Sequence, residues 1–310
     1  MNVPTRGGFE IAASVTPLPA RALVAALTLD ATTLKSSHIA ECPDLGPQCA
    51  TGKPTPYNHE LRNYAYGATL DAQYGATRWL SLAMSLPFRA VTTTVHYTDL
   101  AGREYSPEPP DTHHRNRTLA GLGDPMILAI VGKAFGRVGF AIRGGTLLPF
   151  GTTLDEDPFH AGHEGRPHEH VQFGAGTVRP VLGSALGLDL GAVGFDAWSL
   201  GIFSLATNKI GYRPGQRLVT GGRVSSALGT PGRYGLGVEV SHESTETWSG
   251  LRPEDGNQGR TDVLAMATAR YPLARGVGVF AVVRVPIYVR AIGAQLSYPA
   301  HVQLGIATSL

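Results

Sequence analysis

The chain has 310 residues, of which 43% are hydrophobic and only 16% are charged, and its 26 basic and 24 acidic side chains give a net charge of +2. Soluble domains usually carry about 25% charged residues, and no Lys/Arg block here indicates a nucleic-acid partner. Apolar and polar residues are finely mixed, so no run of about 18 apolar residues exists to make a spanning helix. Any membrane span of this chain must therefore be a β-strand.

Apolar residues alternate with polar or small ones along most of the chain, which predicts twelve β-strands. The clearest case covers residues 277–289, where apolar residues occupy every second position and all of these except Ala281 are β-branched. The predicted strands are, in chain order, 21–34, 61–74, 79–94, 119–134, 137–150, 170–188, 190–205, 216–228, 233–243, 260–271, 276–291 and 297–310. Each has one apolar face and one polar or small face.

The connections between these strands alternate between short turns, such as GATR, FGR and GTPG, and much longer polar segments. Outer-membrane β-barrels have this asymmetry, with short periplasmic turns and long external loops, whereas a soluble sandwich has no reason for it. An even strand number also places both termini at the short-turn end. We therefore interpret residues 21–310 as all-β: a transmembrane, antiparallel, up-and-down β-barrel of about 12 strands, surrounded by the lipid of a bacterial outer membrane.

Aromatic residues agree with this interpretation. Tyr64, Tyr66 and Tyr74 lie near the ends of one apolar face, and Trp79 begins the next predicted strand. Their positions are typical of an interfacial aromatic girdle.

The N-terminal residues 1–20 have no long periodic pattern and carry Pro17 and Pro19 near their end. They lack the basic-then-apolar layout of a secretory signal. An outer-membrane protein must be exported, which implies that a signal was removed or that the start was misassigned. We predict that this segment stays periplasmic or plugs the lumen mouth.

Two cysteines, Cys42 and Cys49, lie in the stretch CPDLGPQC, where a small loop could close. In an oxidising compartment the pair favours a disulfide over two unrelated thiols.

Charged residues segregate to the strand face that we assign to the lumen. They are Arg89, Arg143, Arg217, Arg223, Arg284, Arg290, Asp71, Asp196, Glu239 and Glu243. They form either an Arg-lined pathway that prefers anions or polar solutes, or a network of Arg–carboxylate pairs that fills a narrow barrel. Asp124 and Asp262 are out of phase with their strands, which predicts a bulge or a different register at each.

The most unusual segment is TTLDEDPFHAGHEGRPHEH at residues 152–170. Its histidines are His160, His163, His168 and His170. Imidazoles among carboxylates are ligands for zinc, copper, nickel or ferrous iron, and His168 and His170 should share a face as they lead into the strand predicted at 170–188. His113 and His114 should lie on the same external side. The alternative is a solvated polar loop.

Motifs of known enzymes are missing: the sequence has no G-x-S-x-G, P-loop, G-x-G-x-x-G or H-E-x-x-H. A hydrolase of membrane lipid would need a serine and a histidine on the outer wall, and His242 near Ser241 and Ser244 is the nearest candidate. We expect no enzymatic activity.

Four short motifs follow one another in the middle of the chain: GLGDPMILA, RGGTLLPFGT, HVQFGAGTVRP and NKIGYRPGQRL. In this order they resemble the landmarks of a family of proteobacterial outer-membrane barrels described as transporters, some of which are associated with phenol-degradation pathways. The resemblance implies uptake or efflux of small molecules, and it implies no catalytic residues.

Two functions remain from the sequence. The first is a barrel that passes or binds a small solute, through a channel that twelve strands would keep narrow. The second is a non-transporting surface or structural barrel whose external loops bind metal or a macromolecule.

Overall fold

The computed structural model describes residues 16–40, 55–108, 111, 114–252, 256–293 and 296–309. In this part of the chain one antiparallel sheet contains thirteen strands. With one exception, described in the next paragraph, each strand of this sheet pairs with the next strand of the sheet along the chain, and the first, β1 (Leu23–Ala40), also pairs with the last, β15 (His301–Ser309). The sheet is therefore a closed, up-and-down β-barrel, and the predicted fold class is confirmed.

Two of the thirteen strands share one position in the wall. β4 (Arg117–Leu122) and β5 (Met126–Phe135) pair with successive parts of β3 (Leu80–Asp99), so the described wall has the twelve positions predicted. The other wall strands are β2 (Tyr57–Gly75), β6 (Val138–Leu147), β7 (Arg179–Asp189), β8 (Val193–Ile202), β10 (Arg217–Ser226), β11 (Arg233–Glu243), β13 (Asn257–Ala274) and β14 (Val277–Gly293). Outside the wall lie the helix α1 (Pro158–His163) and a ribbon of β9 (Tyr212–Arg213) with β12 (Thr247–Trp248).

The alternation in the sequence gives the wall two different faces. Buried and more exposed residues alternate along all 19 residues of β2. On the outer face Leu27, Leu70 and Leu86 are neighbours in register, and Leu70 is 56% exposed. Apolar side chains of this size belong against lipid hydrocarbon. None of the helices in the described ranges is long and apolar enough to cross a membrane.

The predicted aromatic girdle lies at both borders of this apolar belt. Tyr66, Tyr74 and Trp79 are exposed on the outer surface. From Tyr64 to Tyr74 the strand is about 33 Å long, which a tilt of about 40° shortens to about 25 Å, the height of a lipid-facing belt.

The two ends of the barrel differ in their connections. At one end the strands are joined by residues 76–79, 136–137, 190–192, 227–232 and 275–276, and at the other by 41–56, 100–116, 148–178, 203–216, 244–256 and 294–300. The two-residue turns contain Gly136 (φ 59°) and Gly276 (φ 75°), in the left-handed region that glycine adopts without strain. The long connections mark the external end.

The wall is higher on one side. β1, β2 and β3 have 18, 19 and 20 residues, whereas β5, β6 and β8 have 10 each. About 9–11 residues span the membrane, so the longer strands project well beyond it on the external side.

The wall is irregular at the two aspartates that the sequence placed out of phase. The chain leaves the sheet at Asp124, between β4 and β5. Near Asp262, Val263 pairs with Tyr288 but Leu264 pairs with Pro286, so Ile287 is an extra residue that forms a β-bulge. The predicted irregularity is confirmed at both places.

This bulge corrects the position of Arg290. Directly paired residues share a face of the sheet, and beyond the bulge Arg290 pairs with Thr261. Thr261 in turn pairs and hydrogen-bonds with His242, which is exposed on the outer surface. Arg290 is therefore on the outer face, not on the predicted lumen face.

Candidate functional site: the barrel interior and its two mouths

The nine other predicted charges lie on the inner face, and the best-defined group surrounds Asp30. Arg89 Nη1 donates to Asp30 Oδ2 at 3.0 Å, and His301 Nε2 lies 3.4 Å from Asp30 Oδ1. Gly67 pairs with both Asp30 and Arg89 across the sheet. A Cβ on Gly67 would be 2.2 Å from Asp30 Oδ2, so only glycine leaves room for this ion pair.

Two more arginines of the inner face are also paired. Arg284 Nε is 3.4 Å from Glu239 Oε1, with both side chains almost fully buried, and Arg284 donates to Gln303. Arg223 Nη2 donates to Asp196 Oδ2 at 2.7 Å. The positive charges of these groups are neutralised within the wall.

The remaining predicted inner residues have different surroundings. Asp71 accepts a hydrogen bond from the Ser85 hydroxyl, and Glu243 accepts one from Asn257 at 3.1 Å. Arg143 is only 1% exposed, and Arg217 is half-buried.

One side of the interior is apolar. Buried side chains of β3, β5, β6, β7 and β8 form a cluster that we call the apolar wall, with Ile202 packed against it. Its members are Ala83, Met126, Leu128, Ile130, Ala141, Leu147, Val181 and Leu200. In β5 these residues alternate with Ile127 and Val131 on the lipid side. The sequence did not reveal this wall. A strand with apolar residues on both its lumen face and its lipid face has the same pattern as a strand buried on both sides of a sheet.

The external half of the lumen is occupied by the long connection of residues 148–178, which we call the inner loop. Its Val171 and Phe173 pack against a buried cluster that contains Leu34 on β1, Val91 on β3 and Leu264 on β13. This packing corrects the predicted strand at 170–188: β7 begins only at Arg179, because the preceding residues enter the barrel.

Asp124 holds both ends of the inner loop. Its carboxylate accepts the backbone N–H of Gly151 at 3.1 Å and that of Ala175 at 2.9 Å. Arg179 Nη2 donates to the same carboxylate at 3.1 Å, and the Asp124 side chain is 1% exposed. The out-of-phase aspartate is thus the anchor of the loop.

The periplasmic mouth is contacted by the chain just before β1. Leu18 donates its backbone N–H to the hydroxyl of Ser81, an inner residue with no exposed surface, at 2.8 Å. A Cβ on Gly75 would lie 2.0 Å from the carbonyl oxygen of Pro19. Residues 16–20 therefore lie at this mouth, and the rest of the predicted segment 1–20 lies outside the described residues, as do Cys42 and Cys49.

The predicted metal ligands of the inner loop are spread over different surroundings. His160 and His163 are exposed on α1, whose N-cap is Asp157. His168 is buried, with Nδ1 2.8 Å from the Arg166 carbonyl oxygen, and its ring centroid is 4.9 Å from that of His170. His168 and His170 do not lie in a strand, so the shared strand face is a wrong prediction.

An ion pair orders the outer part of this loop. Arg166 donates to both carboxylate oxygens of Glu156 and to Glu164. The hydrogen bonds from Arg166 hold the pKa of Glu156 below its ordinary value.

A different histidine group has the arrangement of a metal site. Among the residues that the structure describes, the one group of three ligand side chains within 4.8 Å of one another is His38, His59 and His114. His38 pairs with His59 across β1 and β2. Their separation in the sequence gives no motif, and only the strand register brings them together.

One serine of the hydrolase candidate, Ser241, lies on the opposite face of the wall from its histidine. Ser241 is buried on the inner face, whereas His242 is exposed on the outer face, with Nδ1 2.9 Å from Thr261 Oγ1. This serine and this histidine cannot form a nucleophile–base pair.

A groove of 710 Å³ crosses β6 to β11, but it lies on the lipid side. Its lining includes the exposed side chains of Leu186, Phe195 and Leu236. It does not belong to the lumen.

The structure is similar to that of an outer membrane channel from Pseudomonas putida F1, with a TM-score of 0.65 and 12% sequence identity over 99% of this chain and 100% of that one. More distant matches are a deletion mutant of the TodX monoaromatic hydrocarbon channel (TM-score 0.46, 8% identity, 94% of this chain and 91% of that chain) and a Pseudomonas aeruginosa FadL homologue (0.40, 10%, 93% and 90%). No protein-family model matches the sequence, and no curated protein matches it significantly.

At such identities the first of these matches establishes the fold, and the other two are too distant to carry an argument. A closed barrel with an apolar outer belt, short turns at one end and long loops at the other is the architecture of outer-membrane proteins. The chain is a transmembrane β-barrel of the bacterial outer membrane, as predicted.

Proposed function

We propose that this protein is an outer-membrane channel for small solutes that are uncharged or weakly polar. The observation that carries the proposal is the apolar wall inside the lumen. A membrane barrel normally turns its apolar side chains to lipid and its polar ones inward. Leu128, Ile130 and Val181 of this wall are almost fully buried in the described arrangement, and in an open channel they would face a solute of low polarity.

The charges of the interior support the same preference. An anion-selective path needs positive groups that face the solute, whereas Arg89, Arg223 and Arg284 are each within 3.4 Å of a carboxylate. An anion beside the apolar wall would lose hydration, and Arg143, which is directly paired with Ile130 of that wall, is itself only 1% exposed. We therefore favour the ion-pair network over the Arg-lined pathway.

Passage requires movement at both mouths. The inner loop occupies the external half of the lumen, and residues 16–20 lie at the periplasmic mouth. Connecting loops held by a few polar contacts are the parts of a barrel that open most easily. We propose that the described arrangement is the closed state of the channel.

The alternative is a barrel that transports nothing, and one observation favours it. Interior side chains such as Arg284, Gln303 and Ile130 are 1% exposed or less, so the barrel at this level is filled by its own side chains. In this reading the external loops, not the lumen, carry the function.

Uptake by intact cells distinguishes the proposed channel from the non-transporting barrel. A porin-deficient Gram-negative host that produces the protein should take up benzyl alcohol several-fold faster than the same host with empty vector, and benzoate no faster. Faster uptake of benzoate alone would contradict the proposal. Unchanged uptake of both, with heat-modifiable barrel present in the membrane, would favour the non-transporting barrel.

A charge variant tests whether the path runs through the lumen. Asp30→Asn leaves the buried Arg89 without its carboxylate partner, so benzoate uptake should rise relative to benzyl alcohol uptake. Glu60→Gln is the matched control, because Glu60 forms an exposed ion pair with Arg62 outside the lumen. An equal effect of the two substitutions would refute a lumenal path.

A further inference from the structure

The external ends of β1 and β2 carry two histidines of the inner face, and the loop of residues 100–116, between β3 and β4, adds a third. We propose that His38, His59 and His114 bind a divalent transition-metal ion at the external mouth, with Zn²⁺ as the best-fitting ion. The site is separate from the histidines of the inner loop, and it does not depend on the proposed transport function.

The strand register creates the site. His38 and His59 are directly paired, as are His59 and Tyr97 on β3. Directly paired residues have Cβ atoms about 4.5–5.5 Å apart on one face. Ala31 pairs with Tyr66 of the aromatic girdle, at the external border of the apolar belt. His38 is seven residues farther along β1, or roughly 20 Å. The group therefore stands outside the hydrocarbon, where metal ions have access.

The distances fit three imidazole ligands after a small closure. The ring centroids of His38 and His59 are 3.7 Å apart, those of His59 and His114 are 4.6 Å apart, and those of His38 and His114 are 5.6 Å apart. One ligand nitrogen from each ring lies within 4.8 Å of the other two. Around tetrahedral zinc, with Zn–N of about 2.0–2.1 Å, such nitrogens are about 3.4 Å apart. His38 is exposed and His114 lies on a loop, so both can make this adjustment.

Neighbouring groups hold the third ligand in place. Asp111 accepts the backbone N–H of His114 at 3.1 Å, and its Oδ2 lies 3.9 Å from His114 Nδ1. The Tyr97 hydroxyl donates to the His114 carbonyl oxygen at 2.6 Å, and the Tyr57 hydroxyl donates to Asp111 at 3.5 Å. A carboxylate beside a ligating histidine fixes its ring and raises its basicity.

The donor set determines the class of ion. Three imidazoles suit Zn²⁺, Cu²⁺ or Ni²⁺, whereas Ca²⁺ and Mg²⁺ need oxygen ligands. Three histidines leave a fourth coordination position for water or an external ligand. A bound ion would tie the loop of residues 100–116 to the wall of β1 and β2.

The test is calorimetric titration of the detergent-solubilised full chain, without a polyhistidine tag, with Zn²⁺. The wild type should bind one ion per chain, and the variant His38→Gln/His59→Gln/His114→Gln should bind it at least 100-fold more weakly. The matched control His160→Gln/His163→Gln removes two exposed histidines of the inner loop and should bind like the wild type. Heat-modifiable migration shows that each variant remains folded.

Two further measurements define the ligands. Asp111→Asn should weaken binding about 10-fold to 100-fold, as loss of an orienting carboxylate does. Co²⁺ in place of Zn²⁺ should give a ligand-field spectrum without the thiolate charge-transfer band that Cys42 or Cys49 would produce. Absence of binding in the wild type, equal binding in the triple variant, loss of binding in the control, or a thiolate band would each overturn the proposal.

Discussion

Removal of the Asp124 carboxylate should release the inner loop from the barrel wall. In Asp124→Ala the backbone N–H groups of Gly151 and Ala175 lose their acceptor, and Arg179 loses its ion-pair partner. The strands on either side keep their ladder hydrogen bonds, so we expect the barrel itself to remain closed. The loop should open more often while the variant still migrates as a folded, heat-modifiable protein.

The expected increase in the open population of the loop follows from the burial of the Asp124 carboxylate. Breaking a buried, hydrogen-bonded ion pair by removing one partner costs about 3–5 kcal/mol, and the Asp124 side chain is 1% exposed, so solvent screening reduces this little. The lower figure of about 3 kcal/mol corresponds to a roughly 150-fold larger open population. The effect should be confined to residues 148–178.

Hydrogen exchange measured by mass spectrometry reports this opening at amides that do not bond to Asp124. The N–H groups of Phe173 and Gly174 both donate to the Thr152 carbonyl oxygen, at 3.0 and 2.9 Å, and their exchange should accelerate roughly 150-fold. Asp155→Ala, which removes an exposed carboxylate from the same loop, should leave it unchanged. Acceleration of less than threefold in Asp124→Ala would refute the anchoring role.

Three other outcomes are expected. Deletion of residues 1–20 should raise single-channel conductance in planar bilayers, because residues 16–20 lie at the periplasmic mouth; unchanged conductance would show that the segment does not obstruct the lumen. Leu304→Arg places a charge on the lipid face at a side chain that is 57% exposed, so it should destabilise the folded barrel by about 2–4 kcal/mol in urea titrations; an unchanged midpoint would contradict the assigned face. Alkylation without reductant should modify neither Cys42 nor Cys49 if they form the predicted disulfide, and labelling of both would exclude it.

The membrane-spanning part of the fold was predictable because lipid on one side and a lumen on the other impose opposite polarities on alternate residues. Outside the hydrocarbon both faces meet water, and the pattern fades. β1 continues from the predicted end at residue 34 to Ala40 through Lys35, Ser36 and Ser37. The strand lengths predicted from the sequence are therefore too short at the external ends of the long strands.

Other features depend on distant contacts. Residues 170–178 have the composition of a strand, but Phe173 packs inside the barrel and the wall begins only at Arg179. One extra residue, Ile287, moves Arg290 to the other face, and Pro286 beside it is the only local sign of a bulge. The inner-loop histidines could be found from the sequence because they are close together in it. His38 and His59, in contrast, come together only through the register of β1 and β2.

The pairing of β1 with β15 also affects how the protein must be made. These strands come from opposite ends of the sequence, and Leu29 lies beside Leu304. Until β15 has been synthesised, β1 and β14 each have an unpaired edge, and hydrocarbon does not tolerate unpaired backbone groups. A chain that is truncated before residue 301 therefore cannot form a smaller closed barrel. The described wall can therefore close only when β1 and β15 are both present.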